Sequence, residues 1–189
     1  MNIQIINNDL AKKYLNQYHR LGYGVGVRFC FGVIVENKLC GVIAFGNPIT
    51  NNCLHKYGIH QSKVFELKKM HCLDILPRNS ESKFISYCIK KIKEKYKFIE
   101  AVITYCEAHE LASAYKGANF KKIDENKYIL KYITKDKIID KNSWFKLNYN
   151  LKYKEYDIEY GHTCKYAIAF NSDLQLKFSE IHKQLLSLQ

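Results

Sequence analysis

The sequence predicts one α/β domain built on a mixed β-sheet with helices on both faces. Three observations lead there. Apolar runs of strand length alternate with amphipathic stretches through the middle of the chain, from "VFELKKMHCL" to "NKYILKYIT". The first half opens instead on two apolar runs, "RFCFGVIVENKLCGVIAFG", joined through Glu36-Asn37-Lys38, which is a hairpin signal. The chain has 189 residues, 47% of them hydrophobic, enough for one sizeable core, and shows no internal repeat, low-complexity tract or Pro/Gly-rich linker.

In order along the chain, "NIQII" reads as a short strand. Asp9 can cap a helix whose apolar positions Leu10, Tyr14, Leu15 and Tyr18 fall at helical spacing. "GYGVGV" (22–27) is a glycine-rich loop, and the hairpin follows it. "NPITNNCLHKYGIHQSK" is a long irregular connection of the kind that often carries function. After the strand 64–73 comes a helix with Phe84, Cys88 and Ile92 on one stripe and Ile85 and Ile89 beside it. "IEAVITY" (99–105) is a buried strand, and "AHELASAYKGA" (108–118) is a helix ending at Gly117. Glu66 sits among strand residues, where an unpaired inward carboxylate is costly, so it is either solvent-facing or functional. A core over about 1–133 is expected to carry an extension over 134–189, β-rich up to a last helix from Asp173.

The charge balance points to a partner. Thirty Lys and Arg against eighteen Asp and Glu leave +12 and a pI near 9.3, which favours nucleic acid or another polyanion. Abundant Lys, Ile, Asn and Tyr equally fit an AT-biased proteome. Seven scattered cysteines without a C-x-x-C pair argue against a disulfide framework and a structural zinc, and for a reducing cytoplasm. His162-x-Cys164 is the nearest thing to a ligand pair. No apolar run approaches the ~20 residues of a membrane span, and "MNIQIINNDLAKK" lacks the pattern of a signal peptide.

The stretch "LPRNSESKFISYCIKKIKEK" (76–95) crowds donors at a helix start: Arg78, Asn79, Ser80 and Ser82 follow Pro77. The first N–H groups of a helix lack intrahelical partners and carry partial positive charge, so a phosphate placed there gains hydrogen bonds. Ordinary capping explains the same residues, with Glu81 suited to a first turn.

The order of strand, anion-binding helix start, strand, helix and Y-x-x-x-x-F (Tyr115 to Phe120) resembles the core of GNAT acyltransferases. That resemblance implies a mostly antiparallel central sheet flanked by helices on both faces. It also implies an acyl-CoA-like or other phosphate-bearing donor, held by Met70, Arg78, Asn79, Ser80, Glu81 and Ser82, and Tyr115 as the acid that protonates the leaving thiolate. The usual Q/R-x-x-G-x-G/A loop is absent, which leaves the donor's identity open.

A narrower resemblance is carried by "YHRLGYGVGVRFCFGV", "GVIAFGNP", "VFELKKMHCLDILPRNSESKFISYCIKKIK", "VITYCE" and "AYKGANFKKI", spanning roughly 14–123. Together they are similar to the phage Mom family of DNA adenine-modifying proteins. Its members convert adenine in phage DNA to N6-(carbamoylmethyl)adenine, which blocks host restriction. The family's S-Y-A-D stretch stands here as "TYCE", with Glu107 in place of Asp, so Tyr105, Glu107 and Tyr115 inherit the catalytic assignment, and His109 falls in the family's G-H region. The resemblance implies double-stranded DNA with a flipped adenine as partner, a bacterial host's cytoplasm as location, and leaves a homodimer open.

On this reading Tyr18, His19 and Tyr23 form the far wall of a base pocket, with His19 among the catalytic groups, and Arg20, Arg28 and Lys56 contact DNA. Lys and Arg of the loop 50–63 and of the Lys-rich tail are expected to contact its backbone. On a helix starting near Glu107, Tyr115 lies about two turns on and over the starting face. Asn79–Ser82 is then expected to form one side of the same cleft. Two alternatives stand beside this: a GNAT N-acetyltransferase using acetyl-CoA on a protein, tRNA or small amine, and a DNA-binding protein that kept the fold.

Overall fold

The structure, a computed structural model, describes residues 2–50, 53–107, 112–133, 138–140 and 157–187. The elements are β1 (Asn2–Ile6), α1 (Asn8–Tyr18), β2 (Val27–Val35), β3 (Lys38–Gly46), β4 (Val64–Cys72), α2 (Ser80–Lys95), β5 (Ala101–Glu107), α3 (Ser113–Gly117), β6 (Lys121–Ile133), β7 (Ile138–Asp140), β8 (Asp157–Ala169) and α4 (Ser172–Ser187). The strands form one sheet in the order β1-β2-β3-β4-β5-β8-β6-β7. Every neighbouring pair is antiparallel except β4–β5.

Strand alternation sorts the side chains onto two faces. Phe31, Val33, Ile43, Phe45, Phe65, Leu67, Val102 and Tyr166 meet the apolar stripe Phe84, Ile85, Cys88 and Ile92 of α2, with α3 beside it. On the other face Cys30, Val42 and Ala44 pack against Ala11, Tyr14 and Leu15 of α1. Val64, Ala101, Ile103, Ala167 and Ala169 pack there against Phe178 of α4. The expected mixed, mostly antiparallel sheet with helices on both faces is therefore what forms. Glu36 and Asn37 both take positive φ (48° and 62°), the geometry of a two-residue hairpin turn whose twist matches the strands.

Two local expectations change. Asn7, not Asp9, caps α1, its Oδ1 accepting the Asp9 N–H at 2.7 Å. The helix expected over 108–118 is described only as α3; 108–111, with His109, lie outside the described residues, Glu107 ends β5, and Ala112 sits in the left-handed region at φ 50°. Of the segment after 133, β8 runs inside the sheet between β5 and β6, and β7 forms the edge beyond β6. Among the described residues no helix is long and apolar enough to cross a membrane.

Candidate active site

The site begins as a fork in the sheet. β4 and β5 pair only through Val64↔Ala101, Phe65↔Val102 and Glu66↔Ile103, and then part. Two features mark the fork. The β3–β4 register shifts between Ala44 and Phe45, whose partners are Lys69 and Leu67, so Lys68 is an extra residue that bends β4. Thr104, buried, donates its hydroxyl to the Leu67 carbonyl at 3.1 Å, a side-chain bond just beyond the last ladder pair. The wedge that opens is a cleft of about 460 Å³ lined by residues 68–71 of β4, 105–107 of β5, 19–21 after α1 and 112–115 at α3.

Tyr105, Glu107, Tyr115, His19, Arg20 and Met70 all line this cleft. Glu107 ends β5 and Tyr115 lies on α3, so the two share the cleft from separate elements and not through the periodicity of one helix. Arg20 Nη2 lies 3.3 Å from Glu107 Oε1. The side chains of that pair are 73% and 36% exposed, so water screens it and it opens at little cost. Tyr115 packs on Phe120 and Tyr166, each with ring centroids 6.1 Å away, which gives the Y-x-x-x-x-F spacing a packing role as well.

Protonation follows from the surroundings. Burial first, then nearby Cys53 and Glu66, push the Tyr105 phenol up to about 12 against a hydrogen bond with Thr50, so Tyr105 is a donor at neutral pH. His19 is held below the ordinary histidine value by burial, then by Lys69, His71 and Arg20. Its Nδ1 accepts the Leu21 N–H at 3.1 Å, so the neutral ring carries its proton on Nε2. Sequence reasoning made His19 catalytic; the geometry makes it a hydrogen-bond donor rather than a base.

Three lining residues escaped the sequence reading: Lys68, Lys69 and His71. A Lys-Lys pair in a strand reads as solvated surface, yet the Lys68 side chain is 5% exposed. Its Nζ lies 3.4 Å from Glu66 Oε2, which also accepts the Ile49 N–H at 3.1 Å, so Glu66 is buried and partnered. The Lys69 ammonium is lowered by burial, then by Arg20 and Lys68 against the pull of Glu66. The glycine loop explains itself here. A Cβ on Gly24 (φ 80°) would stand 3.2 Å from Lys69 Cε, and one on Gly46 would strike the Gly26 carbonyl and sit 2.9 Å from Lys68 Cε, so glycine lets backbone lie on the lysine stems. His71 Nδ1 is 3.2 Å from the Tyr14 hydroxyl, and Tyr18 stacks on the ring at 5.8 Å and 16°. Burial raises the Tyr14 phenol, so it stays protonated and fixes the His71 ring through Nδ1.

Other expected site residues fall elsewhere. Tyr18 reaches the cleft only through His71. Tyr23 packs with the α1 core, and burial beside Cys30 pushes its phenol up to about 12. Arg28 donates to Asn47 Oδ1 at 3.2 Å and lies over the Phe65 ring. Lys56 pairs with Asp124 at 3.1 Å and lies over Tyr57. The α2 start forms a separate depression of about 210 Å³, lined by Cys72–Asp74 and Leu76–Glu81, and is not a wall of the cleft. Ser80 is buried with its N–H on the Pro77 carbonyl, and the Ser82 hydroxyl turns back to the Asn79 carbonyl, both at 3.1 Å. Asn79 caps in the left-handed region without a side-chain capping bond. Arg78 is thus the exposed cation at that helix start, with Asp74 and Glu81 nearby. Among the described residues, no three metal-ligating side chains gather at one point.

The sequence profile of the Mom protein family matches residues 1–170. The chain belongs to that family. A relative, the methylcarbamoylase mom of Escherichia phage Mu, is 30% identical over 93 residues, which cover 47% of this chain and 39% of the phage Mu protein. This Mom-family chain is similar in fold to the ribosomal-protein-alanine N-acetyltransferase of Brucella melitensis, with a TM-score of 0.56 over 90% of this chain and 100% of that one at 9% identity. A Bacillus subtilis acetyltransferase solved in complex with CoA matches with a TM-score of 0.51 over 90% and 99% of the two chains at 11% identity. At such identities the likeness is one of fold, the GNAT acyltransferase fold.

Proposed function

We propose that this Mom-family protein is a transferase that modifies adenine in DNA at N6 with a carbamoylmethyl-type group, protecting phage DNA from restriction. One observation carries the reading: in a chain of this family, Tyr105, Glu107 and Tyr115 converge with Arg20 on one open cleft at the sheet fork. The N6 amine is a weak nucleophile because its lone pair is delocalised into the ring, so the base must leave the stack and lose a proton as the new bond forms. Glu107, released from Arg20, takes the N6 proton while the carbon–nitrogen bond forms. The bond between the transferred group and its carrier breaks, and Tyr115 returns a proton to the departing atom. Tyr105, protonated, donates to the base, while His19 Nε2–H and the His71 ring line the cleft where charge develops during transfer.

The donor in this reading is a phosphate-bearing molecule, acyl-CoA-like in its anionic end. The α2 start fits one of its phosphates through the helix dipole and Arg78, without the close backbone approach that glycines would allow. For a carbamoylmethyl product the donor supplies an activated methylene carbon, and the N6–C bond forms there and not at a carbonyl; the residues named above bind, orient and move protons. Mass spectrometry of nucleosides from DNA co-expressed with the protein tests the reading. An N6 adduct on adenine is expected. Unmodified DNA together with an acetylated protein or tRNA would assign the N-acetyltransferase alternative instead.

A further inference from the structure

We propose that the β4 wall of the cleft is a phosphate site, built on Lys68 and Lys69 and completed by Arg20. The Lys68 Nζ is buried and makes no hydrogen bond among the described residues. Its charged neighbour, Glu66 Oε2, stands 3.4 Å away and already accepts the Ile49 N–H. An ammonium withdrawn from water with its donors unplaced is costly, and an oxyanion in the cleft supplies the acceptors it lacks.

Lys69 stands next to it on the same wall and has no carboxylate within ion-pair distance among the described residues. Burial chiefly disfavours its charged form, with Arg20 and Lys68 adding repulsion against the pull of Glu66, and an anion between these cations relieves that repulsion. The glycine loop holds both lysine stems from above, so little side-chain freedom remains to be lost when a ligand arrives.

Among the described residues, Glu107 is the one carboxylate lining the cleft, and it is tied to Arg20. A phosphate that takes over Arg20 withdraws that cation from Glu107 and so raises the carboxylate's readiness to accept a proton. The carrier assigned to the phosphate is the DNA strand beside the extruded adenine, and this assignment rests on the DNA-modifying reading. A phosphate of the donor offers the same chemistry, and the test separates the two.

Thermal unfolding of the full chain is followed while inorganic phosphate is titrated in at constant ionic strength. The proteins are the wild type, Lys69→Gln and the double variant Glu66→Gln/Lys68→Met, which removes both charges of the buried pair together. The phosphate-dependent rise in Tm is expected to fall by at least half in both variants; equal rises in all three proteins overturn the site. In the second arm, an oligonucleotide duplex with an unpaired adenine and CoA are bound separately. The DNA affinity is expected to drop about 10-fold in each variant, with the salt slope reduced by about one per cation removed, and CoA binding unchanged. Weakened CoA with unchanged DNA binding overturns DNA as the carrier while the phosphate site stands. Equal phosphate effects in all three proteins, with adenine still modified by the wild type, overturn the site and leave the proposed function intact.

Discussion

The α2 start and the β4 wall of the cleft both present positive charge to an anion, and they are built by opposite means. At the α2 start the charge is local: consecutive residues 77–82 supply a helix dipole and the exposed Arg78, with Asp74 and Glu81 beside them. At the β4 wall the charge is assembled from afar, Arg20 after α1 meeting Lys68 and Lys69 under a glycine loop, and one of the cations is nearly dry. The comparison teaches where the energy lies. Exposed charge near a helix end is worth a fraction of a kcal/mol, whereas a buried charge commits several.

The largest effect should come from breaking the buried pair. Lys68→Met alone leaves Glu66 buried without its cation and should lower the unfolding free energy by about 3–5 kcal/mol. Arg78→Ala should stay within about 0.5 kcal/mol of wild type in the same urea titration. If the two variants unfold alike, the contrast between dry and wet cations is gone.

Next comes chemistry. Glu107→Gln keeps shape and removes the base, so adenine modification should fall by about 10²-fold or more without loss of fold. Tyr115→Phe, keeping its packing on Phe120 and Tyr166, should slow modification by about 10-fold and leave the urea midpoint in place. Nucleoside mass spectrometry reads both, and wild-type levels in both would move the chemistry to other residues.

At the α2 start, Arg78→Ala should weaken CoA binding by up to about 10-fold, the scale of one charge-assisted hydrogen bond, and leave DNA affinity unchanged. A loss on the DNA side would merge the two regions into one surface.

The smallest effect is in pH. The folded value of His19 lies below its unfolded value near 6.5, so the native state resists protonation. Its contribution to stability is full above the unfolded value and is lost as pH falls through that value toward the folded one, where the unfolded chain binds more protons. His19→Gln should flatten the acid side of the stability curve. His182, lowered in the same direction, keeps part of the slope. An NMR titration of His19 should show its value rising again when phosphate binds, and no change would separate His19 from the cationic wall.

Much of the frame was legible in the sequence. The stripe Phe84, Cys88 and Ile92, the hairpin turn at Glu36-Asn37 and the apolar run of β5 are local patterns whose period reports which face is buried. Tyr105, Glu107 and Tyr115 were found through motifs of neighbouring residues, and they do share the cleft. Arg28 and Lys56 were chosen for charge alone, and charge alone does not show that Asn47 and Asp124 already hold them.

By itself the sequence determined the order of elements, the faces they bury and the donor-rich helix start, because those depend on spacing within a few residues. Only the tertiary structure decided that β4 and β5 part after Glu66, that Lys68 bulges into the wall of the fork, and that Tyr14 orients His71 across the sheet face. It also decided that the α2 start opens elsewhere. Those outcomes depend on strand pairing and burial among residues dozens of positions apart. A lysine's one-letter code is the same in water and in a cleft; the free energy of its charge is not.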